Sequence, residues 1–424
     1  MKSLLCGIIT ICLLLSVKAS ADVIICGVDG ETALKALPPG EDLLLCPEVI
    51  HDFQGAYRGL GDMQGSTVRS SVPGTLAPVR GTLNFLGSPT HNLNFKELHM
   101  DNVSGSGHAF RFDDGITNIT IEDSIIERYD LAAYIRKRSG ERTQSGIKFY
   151  RNIIRNNTHQ GILGGGPDLE IVDNVFIDNG SNGFRDHGIY FGCGDPGDGS
   201  ACPQLIAGNY ITGSSRSSSG DCQGSQIVSH GYMNGAVIEN NVIIEPEGKA
   251  DATCYGIDIT ECCGGNGPLT NLIIRNNVIG NNGRVGIAIR GVTGADIYDN
   301  IIFHHSGVDV GSKSAIQAKP PERSNHPTGD LNIYDNIIDM SGRINTGINI
   351  WEGVNPPISI SNNIEFYSDI SMFDFNEDSN IDIQDLAFIL GELGSANSEA
   401  DLNGDGVVGM DDLAILLRVL SVQV

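Results

Sequence analysis

Along most of this chain apolar and polar residues alternate in short runs, and each run breaks at an asparagine before the alternation resumes. The clearest unit is L-T-N-L-I-I-R-N-N-V-I-G at 269–280. It recurs as D-L-E-I-V-D-N-V-F-I-D (168–178), Q-L-I-A-G-N-Y-I-T (204–212), A-V-I-E-N-N-V-I-I (236–244), A-D-I-Y-D-N-I-I-F (295–303), L-N-I-Y-D-N-I-I-D (331–339) and I-S-I-S-N-N-I-E-F (358–366), with an earlier copy at 146–156. The shared residues are Asn152, Asn174, Asn209, Asn241, Asn277, Asn300, Asn336 and Asn363, spaced by 22 to 36 residues. A floor of 22 with variable excess is the mark of one repeating coil with loop insertions. A second element lies between copies: G-I-Y-F (188–191), Y-G-I-D-I-T (255–260), V-G-I-A-I-R (285–290), S-A-I-Q-A-K (314–319) and G-I-N-I-W (347–351). Each coil therefore carries about three short strands of period two.

Such units cannot bury an apolar face alone and must stack on one another. The pattern predicts an all-β fold, a right-handed single-stranded parallel β-helix of roughly ten to twelve coils. Asn suits the bend between two strands because it tolerates unusual backbone angles, and its amide can bond the Asn of the next coil. A β-sandwich or propeller shows regular turn signals without one Asn position recurring. The segment 36–47 and the runs T-L-N-F-L-G (82–87) and A-F-R-F-D-D (109–114) read as the capped beginning of the solenoid.

The first residues, M-K-S, precede an apolar run at 4–17 and then A-S-A at 19–21, the pattern of a secretory signal peptide. The run is shorter than the ~20 residues that span a bilayer, and no later stretch is long enough. The predicted divisions are a signal peptide (1–21), the β-helix (22–370) and a small C-terminal module (371–424). Export makes disulfides permissible. Cys26–Cys46 and Cys193–Cys202 are the expected pairs. Cys222 and Cys254 precede similar strands in adjacent coils and could meet, and Cys262-Cys263 is a vicinal pair without an assignment. From residue 22 onward the formal net charge is −27. That argues against general nucleic-acid or membrane binding.

Candidate chemistry gathers in three places. Between Arg128 and Arg155 the local charge inverts to +6, with Arg136, Arg138 and Lys148 among its eight basic residues. This reads either as a subsite for a carboxylated or sulfated sugar or as a solvated face offsetting neighbouring acids. Stacked coils would also line up the outward positions of the second element. The row is Arg111, Tyr134, Arg136, Tyr190, Val228, His230, Asp258, Thr260, Arg290, Gln317, Lys319, Asn349 and Trp351. It forms a long polar and aromatic groove suited to an extended sugar chain. Its densest point is F-R-D-H-G-I-Y-F at 184–191. Elimination across a uronic acid needs a cation for the carboxylate, a base for the α-proton and an acid for the leaving oxygen. Arg185 or Arg136 are candidates for the first role, His187 for the second and Tyr190 for the third, with Asp186, His230 and Asp258 nearby. Arg138, Lys148, Arg290, Lys319 and Trp351 are candidates to bind substrate, although His187 and Arg185 could equally tie a loop down.

From Phe373 the composition changes. Two loops place oxygen-bearing residues at calcium-ligand spacing: Asp374, Asn376, Asp378, Asn380, Asp382 and Asp385, then Asp401, Asn403, Asp405, Val407 (through its carbonyl) and Asp412. An apolar helix follows each loop. Over 374–420 the chain resembles a dockerin, an α-helical EF-hand-like module. The resemblance implies two bound Ca²⁺ ions and docking to a cohesin-bearing scaffold or cell-surface protein. Ser379 replaces the usual glycine of the first loop, and Ile383-Gln384 and Met410-Asp411 occupy the positions where dockerins often carry Ser or Thr for recognition.

On its repeat, 36–366 resembles the pectate lyase-like superfamily of β-helix proteins, which includes alginate lyases and mannuronan epimerases. The resemblance implies a secreted protein acting on an acidic polysaccharide, most simply a lyase. The epimerase D-P-H motif and the paired Lys and Arg motifs of the alginate lyase/chondroitinase B group are not found. The alternatives are a uronate epimerase, a glycoside hydrolase using two of Asp186, Asp258 and Glu261, and a non-catalytic carbohydrate-binding or surface protein. Fold alone does not choose among them.

Overall fold

The computed structural model describes residues 22–86, 89–103, 105–113, 115–136, 144–181, 186–194, 199–246, 248–250, 253–261, 267–304, 313–322, 326–340, 344–366, 373–376, 383–397, 399–402, 406–409, 412–413 and 416. The expected signal peptide, Arg138, Arg185, Cys262-Cys263, Asp378, Asn380, Asp382, Asn403 and Asp405 lie outside the described residues.

Short strands from successive coils assemble into three parallel sheets of 14, 11 and 12 strands. The 14-stranded sheet 1 runs from Val23–Ile25 to Asn355–Ser361, the 12-stranded sheet 2 from His51–Phe53 to Ile364–Phe366, and the 11-stranded sheet 3 from Ala56–Tyr57 to Thr346–Ile350. One coil visits the three in turn, as in Leu269–Arg275, Val278–Gly280 and Val285–Arg290. This is the expected parallel β-helix. Alternation sends one residue in two inward, and the register stacks those residues into columns. In sheet 3 the column reads Ile162, Ile189, Ile227, Ile257, Ile287, Ile316. All are buried. Each such side chain contributes about 1.5–3 kcal/mol of apolar burial. The glycine of the G-I signature has a steric cause. A Cβ on Gly161 would lie 2.4 Å from the Gly188 carbonyl oxygen, and one on Gly256 2.6 Å from that of Gly286.

The recurring asparagines form one continuous ladder. The side-chain N–H of each donates to Oδ1 of the next: Asn152 to Asn174 (3.0 Å), Asn174 to Asn209 (3.1 Å), Asn209 to Asn241 (2.9 Å), Asn241 to Asn277 (2.9 Å), Asn277 to Asn300 (3.0 Å), Asn300 to Asn336 (2.9 Å) and Asn336 to Asn363 (2.8 Å). The backbone N–H of each donates to the same oxygen. The same amide nitrogen also reaches a carbonyl of the preceding coil, as Asn241 Nδ2 reaches Ile206 O at 2.9 Å. One expectation changes. The ladder asparagines are not the residues in the left-handed region. The residue before each one is: Arg151, Asp173, Gly208, Asn240, Asn276, Asp299, Asp335 and Asn362 all have φ between +53° and +65°. The preceding residue makes the bend, and the ladder Asn satisfies the backbone groups that the bend exposes. A second, shorter ladder at the next corner joins Asn157 to Asn179 (2.8 Å).

The first coils receive Leu34 and Leu37 from the short helix Gly30–Lys35 and the residues after it, N-capped by Asp29, which accepts from Thr32 N at 2.9 Å. The expected Cys26–Cys46 and Cys193–Cys202 disulfides are formed, and Cys222 bonds Cys254.

Truncating a mid-ladder asparagine removes both a donor and an acceptor from dry surroundings. Asn241→Ala should cost about 3–5 kcal/mol, several buried groups losing partners at once. Asn363→Ala, at the half-exposed end, should cost about 1 kcal/mol. Urea unfolding monitored by circular dichroism reads the difference, and equal costs would contradict the ladder's role.

Candidate active site on the outer face of the third sheet

The register of sheet 3 builds two outward columns. The central one runs Arg111, Tyr134, Leu163, Tyr190, Val228, Asp258, Ala288, Gln317, Asn349. Beside it Thr260, Arg290 and Lys319 are consecutive partners. His230 precedes them, with its Nδ1 2.7 Å from the Thr260 carbonyl oxygen. Trp351 follows them, its backbone N–H donating to Ala318 O. Residues scattered over 230–351 thus become neighbours on one wall, about 4.8 Å apart per strand.

The centre is His230 and Asp258. A carbonyl oxygen only accepts, so the Thr260 contact puts the proton on Nδ1 of His230 and leaves Nε2 as the basic nitrogen. Asp258 accepts from Ser225 Oγ at 3.3 Å. Burial raises its pKa above the ordinary carboxylate value, with His230, Thr260, Ser225 and Arg290 pulling in the opposite direction. Tyr190 packs its ring 5.6 Å from that of His230 in an edge-on arrangement. Burial raises its phenol pKa too.

The far end of the wall is cationic and aromatic. Lys319 Nζ lies 4.0 Å from the centroid of the Trp351 ring, which is 47% exposed. Burial and the charges of Arg284 and Arg290 hold the Lys319 pKa below its usual value. Arg284 lies over the Tyr255 ring at 5.8 Å. Arg290 pairs with the exposed Glu322 at 2.7 Å, while its Nε is buried without a hydrogen-bond partner. Tyr255, Asp258, Thr260, Arg290 and Lys319 line one open cleft.

Other expected site residues fall elsewhere. His187 is buried beneath Tyr190, the two rings 5.9 Å apart. Burial, then the neighbouring His230 charge, pushes its pKa down to about 3. Its Nδ1 faces both the backbone N–H and the carbonyl oxygen of Ser225, each at 3.2 Å, which holds the ring in the packing beneath the groove. Asp186 is buried at a corner of the coil with His159 at 3.5 Å, away from the groove. Glu261 is also buried and accepts the Glu322 amide at 2.6 Å. Of the three carboxylates considered for a hydrolase, Asp258 alone stands on this face. The described residues of the basic segment are dispersed over the coil. Its chain winds through all three sheets, so Lys148 emerges on sheet 1 against Glu170 (2.8 Å) and Arg155 on sheet 2 against Glu127 (2.7 Å). Arg151 pairs with Asp123 at 2.7 Å. Arg136 remains on the groove, 3.4 Å from Asp113. Tyr255, Ser225 and Arg284 were not anticipated. Their signal was their place in or beside the repeating strands.

In the C-terminal loops, Asp385 and Asp412 are both fully buried and occupy the same place in each copy. Asp385 accepts from Phe375 N and Asp412 from Leu402 N, each at 2.7 Å. Asp401 accepts from Gly406 N at 2.8 Å, and Asn376 donates to Gln384 at 3.1 Å. Among the described residues the two loops share a buried carboxylate at the twelfth position that accepts the N–H of the second residue, a donor set that fits an oxygen-liganded cation. Among the described residues no helix is long and apolar enough to cross a membrane.

No family model matches the chain, and no curated protein matches it. Among solved structures it is similar to the Dettilon tailspike protein, with 15% identity over 76% of this chain and 62% of that one and a TM-score of 0.49. It is also similar to an alginate lyase from Paenibacillus sp. (16% identity, 77% of this chain and 96% of that one, TM-score 0.44). A third is PfbA, a surface adhesin of Streptococcus pneumoniae (10%, 81% and 91%, TM-score 0.49). The chain spans 62% of the tailspike's length. At these identities and scores the similarity carries no activity from one protein to another, and the assignment of function rests on the groove.

A buried carboxyl whose pKa is raised resists ionisation in the folded state, so its charge costs stability as pH rises past the unfolded value of ~3.9. Asp258→Asn should therefore melt a few degrees above the parent at pH 8, with the advantage shrinking as pH falls toward 4. A variant advantage independent of pH would contradict the raised pKa.

Proposed function

We propose that this protein is a secreted carbohydrate-active β-helix that cleaves an acidic, uronate-containing polysaccharide by β-elimination on the outer face of sheet 3. One observation supports the reading above the others: a basic imidazole nitrogen, a carboxyl with a raised pKa and a cation–aromatic platform share one wall on consecutive strands. In this reading the polysaccharide lies along the stacking axis. Arg290 neutralises the uronate carboxylate, which acidifies the adjacent C–H. Nε2 of His230 removes that proton. Asp258, its pKa raised by burial, is the group that supplies a proton to the leaving glycosidic oxygen, and the new C=C forms as the C–O bond breaks. Lys319 and Trp351 hold the neighbouring sugar, the ring offering a stacking face and the ammonium a partner for a second carboxylate. This moves the base from His187 to His230, because His187 is buried beneath Tyr190 and burial lowers its pKa.

The C-terminal module belongs to the same proposal. Asp374, Asn376, Asp385, Asp401, Asp412 and the Val407 carbonyl would serve as ligands for two Ca²⁺ ions, which supply charge that organises the acidic loops. By its resemblance to dockerins the module would attach the protein to a cohesin-bearing scaffold or surface.

The test is incubation with alginate, polygalacturonate, chondroitin sulfate and neutral glucans, following both the unsaturated-uronide absorbance and new reducing ends. The expected result is absorbance growth on a uronate polymer. His230→Ala should lower kcat by about 10²–10⁴, whereas His187→Gln should act mainly on stability. Reducing ends without absorbance would identify a hydrolase, and parental turnover in His230→Ala would remove the assigned base.

A further inference from the structure

The outer face of sheet 2 carries a column of its own: Ile125, Ile153, Val175, Tyr210, Val242, Val278, Ile301, Ile337 and Ile364 are consecutive register partners. Outward apolar residues in an unbroken line are expensive to leave in water. Along most of the column they stay partly exposed, and Tyr210 is 42% exposed. At the C-terminal end the pattern changes. Ile337 falls to 2% exposed, and it shares one apolar cluster with Phe373, Ile389, Ala400, Leu402, Val408 and Leu413 of the C-terminal module. Ile301 and Ile364 pack against the same cluster. The last strand of sheet 2, Ile364–Phe366, is followed after only six residues by Phe373. A tether of that length reaches about 20 Å at most. The module therefore starts beside the face it covers.

The module's own core depends on its loops. Leu402, inside the shared cluster, donates its N–H to the buried Asp412, and Phe375, which packs on the cluster, does the same to Asp385. Residues that would ligand calcium are thus one backbone bond away from residues that touch the β-helix. Without a cation, two loops rich in carboxylates repel themselves apart. With one, the charge is neutralised and the apolar side of the module is held in shape.

We propose that the C-terminal module is a calcium-dependent clasp seated on sheet 2 of its own β-helix, covering Ile301, Ile337 and Ile364. It is not a freely swinging attachment domain. Binding calcium only in the seated form stabilises that form by linkage.

The full chain tests this by thiol labelling. Ile337→Cys places a thiol under the module, and Val175→Cys places one at the equivalent outward position of an uncovered coil. Maleimide labelling of the two peptides is followed by mass spectrometry in CaCl₂ and in EGTA. In CaCl₂ the Ile337→Cys peptide should label about tenfold or more slowly than the Val175→Cys peptide, and in EGTA the two rates should converge. Equal rates in CaCl₂ would show that the module is not seated there. Slow labelling that persists in EGTA would show that calcium is not the latch. Should Ile337→Cys fail to fold, Ile364→Cys carries the same comparison. Neither readout involves a polysaccharide, so a failure here leaves the groove assignment standing, and the reverse.

Discussion

A parallel β-helix has to neutralise a repeated problem. At every corner the backbone turns out of one sheet before entering the next, and its N–H and C=O groups lose their strand partners in a place water does not reach. The Asn ladder answers this with a side chain that both donates and accepts. Each amide links the coil before it to the coil after it, so a group that satisfies a local bend also fixes the register of the whole stack. The cost of a buried unpaired amide makes the arrangement nearly all-or-none. A chain shifted by one residue would bury Arg151 or Asp173 at the corner where Asn152 or Asn174 belongs. The columns of isoleucine inside, and every column outside, inherit their alignment from that constraint.

The groove is a consequence of the same alignment. His230, Asp258, Arg290, Lys319 and Trp351 come from five coils, and nothing local to any one of them indicates a site. Register brings them together, and shape then decides which can react. His187 and His230 illustrate the difference. Both belong to sheet 3 or its margins and both lie near Tyr190. One is sealed against the Ser225 backbone, and the other is turned outward with Nδ1 fixed by Thr260. Burial, not identity, separates a histidine enclosed in packing from one that faces the groove.

Much of the architecture was legible in the repeat itself. The Asn spacing and the G-I strands predict the three-sheet coil, the ladder and the outward row from Tyr190 to Trp351. What was hidden in the sequence was anything that depends on how far around the coil a residue has travelled. Lys148 follows a run of arginines by a few residues and looks like part of one basic patch, yet by then the chain has left sheet 3 and entered sheet 1, where Glu170 meets it. Local charge density along a solenoid is wound around its axis and diluted over three faces. The G-I glycine was recognisable as a pattern but not as a contact with the next coil, because its neighbour is 27 to 38 residues away in cases such as Gly161 and Gly188. The left-handed residue before each ladder Asn was hidden for a different reason: Arg, Asp, Gly and Asn all fill it, so composition does not mark it.

The groove and the C-terminal module are not independent in space. In one coil Ile301–Phe303 on sheet 2 is followed by Ser314–Lys319 on sheet 3, and in the next Ile337–Asp339 is followed by Thr346–Ile350, immediately before Trp351. The strands that present Lys319 and lead to Trp351 therefore follow directly on those whose backs carry the module. Thr346–Ile350 is also the end strand of sheet 3, with a stacking partner on one side only, and such an end is most prone to open. A cover on sheet 2 holds in place the coils whose sheet 3 edge forms the cation–aromatic end of the groove. The acidic module, by its position, supports the geometry of the Lys319–Trp351 end of the groove, on another face of the coil.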